Sequence, residues 1–195
     1  MVKWLRDVGE AYGAAASSGK RLLMLFVEDE PASGKLGKVF NRPLVAFETA
    51  MYFVPVLLTV ADSPGEFRER KVDLTPTVIV ADLDGAEVTR WEGHVEEVEL
   101  LAHLKFSLGL DEFRKARYPK SMELFDTVMY DYPKSSKAPA AAFYYGVAKA
   151  RQTGSDIWMA RAYDYLQIAY PKNVWTMKAS AWSEGLADDE MKKAA

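Results

Sequence analysis

The stretch "LTPTVIVADLDGAEVTRWEG", residues 74–93, decides the fold class of this chain. Residues 77–81 are apolar or β-branched and predict a buried strand, and residues 86–91 predict a second strand that returns beside it. Asp84-Gly85 between them is a strong signal for a tight hairpin. Thr75-Pro76 precedes this hairpin and Gly93 follows it. We therefore expect an antiparallel pair of strands at one end of a sheet.

Apolar runs alternate with helical patterns on the N-terminal side of the hairpin. Short apolar runs bounded by turn residues predict strands, and apolar positions at helical intervals predict helices. The predicted strands are residues 21–27 and 52–61, and the predicted helices are residues 2–17, 36–51 with an interruption near Pro43, 66–71 and 95–108. Strands that alternate with helices pair in parallel. The expected fold class is α/β, with a mixed four-stranded sheet and flanking helices.

The composition changes from residue 110 onward, where strand-like runs disappear and Ala, Tyr and Met recur at helical spacing. The segments "SMELFDTVMYDYPKS" and "MARAYDYLQIAYPKN", which start at Ser121 and Met159, align without a gap at an offset of 38 residues. Self-similarity at such a period is typical of stacked helical hairpins. We expect a first domain at residues 1–109, an all-helical domain at 110–186 and a polar tail at 187–195.

The first domain resembles the thioredoxin superfamily in the strand "RLLMLF", the corner after it, the strand "YFVPVLLTVAD" and the hairpin stretch quoted above. The resemblance implies that the Thr75-Pro76 peptide bond is cis and that the groove beside it receives an extended peptide. The family's Cys-x-x-Cys motif falls on Glu30-Pro31-Ala32-Ser33, with residues 29–32 as the alternative register. The chain has no cysteine, so its own side chains cannot perform thiol–disulfide exchange.

The second domain resembles tetratricopeptide-type helical repeats. Tyr145-Gly146 fits the Leu-Gly position of that pattern, and Phe125 and Tyr163 fit its aromatic position. The aromatic residues of this half exceed what two helical hairpins need for a core, and surplus aromatic surface favours a contact with a partner. The candidate residues of this helical contact surface are Tyr144, Trp158 and Trp175.

Two functions are compatible with these patterns. The favoured hypothesis is a redox-inactive interaction module, a scaffold or chaperone-like helper, which binds a protein or peptide partner through the cis-proline groove and the helical repeats. Its candidate groove residues are Glu30, Pro31, Ala32, Ser33, Thr75, Pro76 and Gly93. The alternative is a glutathione-dependent transferase in which Ser33 activates a thiol supplied by the ligand. A homodimer is also compatible, since repeats of this kind usually need about three copies to stand alone.

Composition argues against several other classes of protein. The net charge is −3, with 25 basic and 28 acidic residues, which is not the footprint of a nucleic-acid-binding protein. The longest apolar run, residues 52–61, is too short to span a membrane. With only His94 and His103 and no cysteine, neither a metal site nor a cofactor is expected, and no catalytic residue is assigned. The amphipathic pattern at the N-terminus favours a cytoplasmic protein, with export after removal of a leader as the open alternative.

Overall fold

A computed structural model describes residues 1–28 and 34–183, and the chain divides into two compact units, Met1–Leu104 and Lys105–Ala195. The elements of the first unit are α1 (Val8–Ser18), β1 (Arg21–Val27), α2 (Lys35–Phe40), α3 (Pro43–Tyr52), β2 (Phe53–Thr59), α4 (Pro64–Glu69), β3 (Thr77–Ala81) and β4 (Glu87–Glu92). They are followed by α5 (Glu97–Arg114), α6 (Tyr118–Asp131), α7 (Ala138–Thr153), α8 (Ile157–Ala169), α9 (Val174–Ala179) and a 3-10 turn at Ser180–Trp182. The predicted polar tail, residues 187–195, lies outside the described residues.

The four strands form one mixed sheet in the order β2-β1-β3-β4. β1 and β2 run parallel, with Arg21 opposite Phe53 at the start of both strands. β3 runs antiparallel to β1 on one side and to β4 on the other. The predicted fold class is confirmed: a thioredoxin-like mixed sheet with flanking helices, followed by a region of helices.

The core of the first unit lies on the central strands. Every residue of β3 is buried, and so is all of β1 after its first residue, because helices cover both faces of the sheet and continuous apolar runs are then favoured. On one face Met24 and Phe26 pack with Ala11 and Ala15 of α1 and with Phe67 of α4. The rings of Phe26 and Phe67 meet edge to face at 5.0 Å.

The predicted N-terminal helix, residues 2–17, is wrong in its first turns. α1 begins at Val8, where the Asp7 carboxylate accepts a backbone N–H of the first turn at 2.6 Å and so caps the helix. Leu5 instead joins the sheet: it forms a parallel bridge with β2, and its N–H donates to the Pro55 carbonyl at 2.9 Å. This backbone pairing overrides the helical spacing of the apolar side chains.

Helix α5 also differs from its prediction, since it continues past residue 108 to Arg114. Gly109 lies inside this helix and makes a close contact with α6. A Cβ atom at Gly109 would lie 2.7 Å from the Phe125 ring. The glycine is therefore a packing position rather than the end of a helix.

The two aligned segments of the second unit have similar helix ends. Tyr132 ends α6 with φ −129° and ψ 49°, and Tyr170 ends α8 with φ −140° and ψ 54°. Each donates its backbone N–H to the carbonyl four residues earlier. The Tyr170 hydroxyl donates to the Pro133 carbonyl at 2.7 Å. Tyr118-Pro119, by contrast, begins a helix, which suits proline because the first turn needs no N–H donor.

Candidate functional site

One groove of the first unit contains Thr75, a residue of the predicted cis-proline groove. The corner residues Glu30, Pro31, Ala32 and Ser33 lie outside the described residues. Glu28, Val60 and Thr75 line one groove of about 520 Å³, at the edge of the sheet where parallel strands β1 and β2 end. The remaining lining residues are Pro64, Phe67, Arg68, Val72 and Asp73. In open α/β sheets this edge is where ligands usually bind.

The loop before β3 brings three of the predicted residues together. The peptide bond between Thr75 and Pro76 is cis. The Pro76 carbonyl accepts the N–H of Gly93 at 2.7 Å. Gly93 has φ +81°, a left-handed conformation that favours glycine. This backbone contact fixes the position of Pro76 and therefore of the exposed Thr75 beside it.

Thr75 offers backbone groups to a ligand. Neither its N–H nor its carbonyl forms a hydrogen bond with another residue in the described part of the chain. Two apolar side chains close to Thr75 are accessible: Val60, which lines the groove, is 45% exposed, and Leu74, the neighbour of Thr75 in the chain, is 59% exposed. A free backbone edge with apolar rims suits an extended peptide, whose main chain supplies the matching donors and acceptors.

Val60, which lines the groove, and Leu74, the neighbour of Thr75, are missing from the sequence-based assignment, although a signal for them exists. Val60 directly follows β2, and Leu74 stands three residues before β3. The Thr77 hydroxyl donates to the Leu74 carbonyl at 2.7 Å and holds this loop against the start of β3. Apolar residues just outside strand ends, where the chain must turn into solvent, could have identified them.

The predicted helical contact residues fall into two places in the second unit. The rings of Tyr144 and Trp175 lie 5.6 Å apart in an aromatic cluster, where Trp175 also approaches Phe143 at 5.1 Å. Trp158 instead lines a groove of about 250 Å³, together with residues of α6, α7 and α8. Neither Tyr144 nor Trp175 is among the residues that line this groove.

The Trp158 groove combines an aromatic face with charges of both signs. The Lys149 ammonium lies 5.1 Å from the Trp158 ring centroid, and the Arg161 guanidinium carbon lies 4.8 Å from it. Both distances are within the range of cation–π attraction. Burial raises the pKa of the Asp126 carboxyl, and Lys149 partly opposes this shift. Burial is also the main reason why the pKa of Tyr145 is raised. Such a groove can bind side chains of a peptide.

The part of the chain that the structure describes contains no group of three or more His, Asp or Glu side chains that could hold a metal ion. Within the same residues, no helix is both long enough and apolar enough to cross a membrane.

Comparisons with known proteins find similarity to several solved structures. No protein-family model matches the chain, and no curated protein is significantly similar to it. A solved thioredoxin from Thermus thermophilus is 25% identical and covers 53% of this chain and 85% of its own, with a TM-score of 0.47. Chloroplastic thioredoxin z is 19% identical, covering 55% of this chain and 96% of its own, with a TM-score of 0.43. The oxidoreductase DsbH is 13% identical, covering 55% of this chain and 84% of its own, with a TM-score of 0.45.

Proposed function

We propose that this protein is a redox-inactive, thioredoxin-like binding module that recognises an extended segment of a partner protein in the groove beside Thr75. The observation that carries the proposal is the state of Thr75, which is exposed and forms no backbone hydrogen bond with another described residue. Its neighbour Pro76 is held in place by Gly93. An extended segment placed along Thr75 would complete the hydrogen bonds of its backbone.

The chemistry of the chain supports binding without exchange. With no cysteine in its 195 residues, a bound partner cannot form a mixed disulfide with this sequence. Affinity must then come from backbone hydrogen bonds and from apolar contacts with Leu74 and Val60. Reversible binding of this kind suits a scaffold or a chaperone-like helper.

The helical unit supports a second contact surface. We assign α6 to α9 to tetratricopeptide-like repeats, supported by the offset of 38 residues and by the similar ends of α6 and α8 at Tyr132 and Tyr170. The Trp158 groove is the contact site that we assign to this unit. A partner that engages both sites would gain affinity through the raised local concentration of the second site.

The transferase alternative rests on Ser33, which lies outside the described residues, and no described contact favours it. It is therefore an outcome to be tested rather than a second proposal. Retention of the full chain on immobilised glutathione, together with turnover of an electrophilic substrate, would favour it over peptide binding.

A peptide selection on the full chain tests the proposed function. A library of cysteine-free dodecapeptides is displayed on phage, and the dissociation constants of the selected peptides are measured by calorimetry. Val60→Arg places a charge in the lining of the groove and should weaken binding by about tenfold or more. Val98→Arg is the matched control, because Val98 is the same residue type and is also exposed, at 58% against 45% for Val60, but does not line the groove. Equal effects of the two variants, or no selected peptide, would refute the proposal.

A further inference from the structure

A second depression in the first unit lies away from the Thr75 groove. It is formed by the N-terminal segment, α1, the end of α3 and the start of β2, and has a volume of about 420 Å³. It reaches β2 at Phe53, whereas the Thr75 groove lies next to Val60, beyond the other end of that strand. Its volume falls within the range of small-molecule sites in proteins.

The walls of this depression are mostly apolar. Phe53, Val54 and Pro55 of β2 form its floor with Val2, and Ala14 and Ala46 supply small side chains on the helices beside it. Small residues at these two helical positions leave the space open. A wall of this composition favours an alkyl or aromatic group, because each buried methylene contributes to binding through the hydrophobic effect.

Two lysines, Lys3 and Lys20, also line the depression. The Lys20 ammonium donates to the Ala50 carbonyl at 2.6 Å, at the last turn of α3, where helix carbonyls favour a cation. This contact fixes the position of the charge and uses one of its three donors. Among the described residues that line the depression none is acidic, and neither lysine forms an ion pair with a described carboxylate. The site is therefore positively charged.

The wall contains one polar group that lacks a partner. Thr49 is fully buried, and its hydroxyl oxygen has no hydrogen-bond partner among the described residues. Buried polar groups are nearly always satisfied, by protein or by a bound molecule.

We propose that this depression binds a small amphipathic carboxylate, with its alkyl chain against Val2, Phe53 and Val54 and its carboxylate at Lys20. The apolar walls select the alkyl chain of the ligand. The two lysines select the sign of its charge, since no described residue that lines the depression is acidic. An alkyl cation would face Lys3 and Lys20 without a compensating carboxylate. A neutral alcohol would lose the charge-assisted hydrogen bond to the ammonium.

Calorimetry on the full chain with decanoate, decanol and decyltrimethylammonium, each below its critical micelle concentration, tests the chemical class. Decanoate should bind most tightly, decanol more weakly, and the cation not measurably. Shortening the chain should lower the affinity by about fourfold per methylene, the factor that corresponds to burial of one such group. Equal binding of decanoate and decanol, or no binding of decanoate, would overturn the proposal.

Matched variants test the location. Lys20→Gln should weaken decanoate binding by about fivefold, the upper end expected for a partly exposed ion pair, whereas the exposed Lys38→Gln should leave it unchanged. Ala46→Leu fills the depression and should abolish binding. Ala16→Leu, on the exposed face of α1, is its control. Circular dichroism verifies that each variant is folded. If Lys20→Gln and Lys38→Gln bind decanoate equally, the carboxylate is not at Lys20 and the proposal fails.

Discussion

A methyl group added at Gly146 tests the packing of the second unit. Gly146 lies in α7 and is buried against α8. A Cβ atom at this position would overlap the Cβ of Ala162 and would lie 3.0 Å from the carbonyl oxygen of Trp158. One obstacle is backbone and the other is the first atom of a side chain, so neither can rotate away. Gly146→Ala therefore requires α7 and α8 to move apart.

The expected change in the free energy of unfolding caused by Gly146→Ala is the difference between two effects. Replacing glycine by alanine inside a helix gains about 1 kcal/mol of stability from helix propensity. Overpacking a well-packed contact costs about 1–3 kcal/mol, and the upper end applies where no side chain can yield. We expect Gly146→Ala to lower the free energy of unfolding of the second unit by about 2 kcal/mol. Gly13→Ala, in α1, should instead raise the stability of the first unit by about 0.5–1 kcal/mol, since a Cβ there meets nothing within 4 Å.

Hydrogen exchange measured by mass spectrometry resolves the two units separately. Amides of α7 and α8 should lose protection in Gly146→Ala and not in Gly13→Ala. The double variant Gly146→Ala/Ala162→Gly removes the overlap of the two Cβ atoms, so it should be more stable than the sum of the single changes by about 1 kcal/mol. If Gly146→Ala stabilises the protein as Gly13→Ala does, the close approach of α7 and α8 is incorrect.

Two further substitutions test polar contacts. Thr49→Val removes a buried hydroxyl without a described partner. The substitution should leave the free energy of unfolding unchanged or raise it by about 1 kcal/mol. A clear decrease in the urea midpoint would show that this hydroxyl forms a hydrogen bond. Tyr170→Phe should cost about 1 kcal/mol at pH 7, because the Tyr170 hydroxyl donates a hydrogen bond. Burial raises the pKa of Tyr170 to about 12, above its ordinary value of 10.0. As the pH rises, the folded state therefore retains this proton longer than the unfolded state. The contribution of the Tyr170 hydroxyl to the free energy of unfolding is complete below pH 10 and is lost between pH 10 and about 12. The Tyr170→Phe variant should not show this loss of stability. If the stability of the variant and of the unchanged protein fell in parallel over this pH range, the raised pKa of Tyr170 would be contradicted.

The central strands could be predicted from the sequence because their environment is uniform. Residues 21–27 and 77–81 match β1 and β3 at both ends. Each is buried on both faces and bounded by residues that disfavour strands, so local composition determines its limits. The outer strands shift by one or two residues at their ends, with β2 at Phe53–Thr59 and β4 at Glu87–Glu92.

Contacts between distant segments could not be predicted in this way. The pairing of Leu5 with Pro55 turns an apparent helical turn into an extra partner of the sheet. The contact of Lys20 with Ala50 joins residues 30 apart in the chain and creates the charged end of the depression. Periodicity describes which face of an element is apolar, but the partner of that face depends on the whole fold.

The Thr75 site shows that the position of this residue does not depend on a cysteine. The resemblance to thioredoxins would place exchange chemistry on side chains at the corner after β1, and this chain has no thiol. The position of Thr75 depends instead on the backbone contact between Pro76 and Gly93, on the other side of β3. Exchange chemistry and the position of Thr75 would therefore depend on different segments of the chain. A chain without a thiol can therefore keep the contact between Pro76 and Gly93, and with it the exposed edge of Thr75.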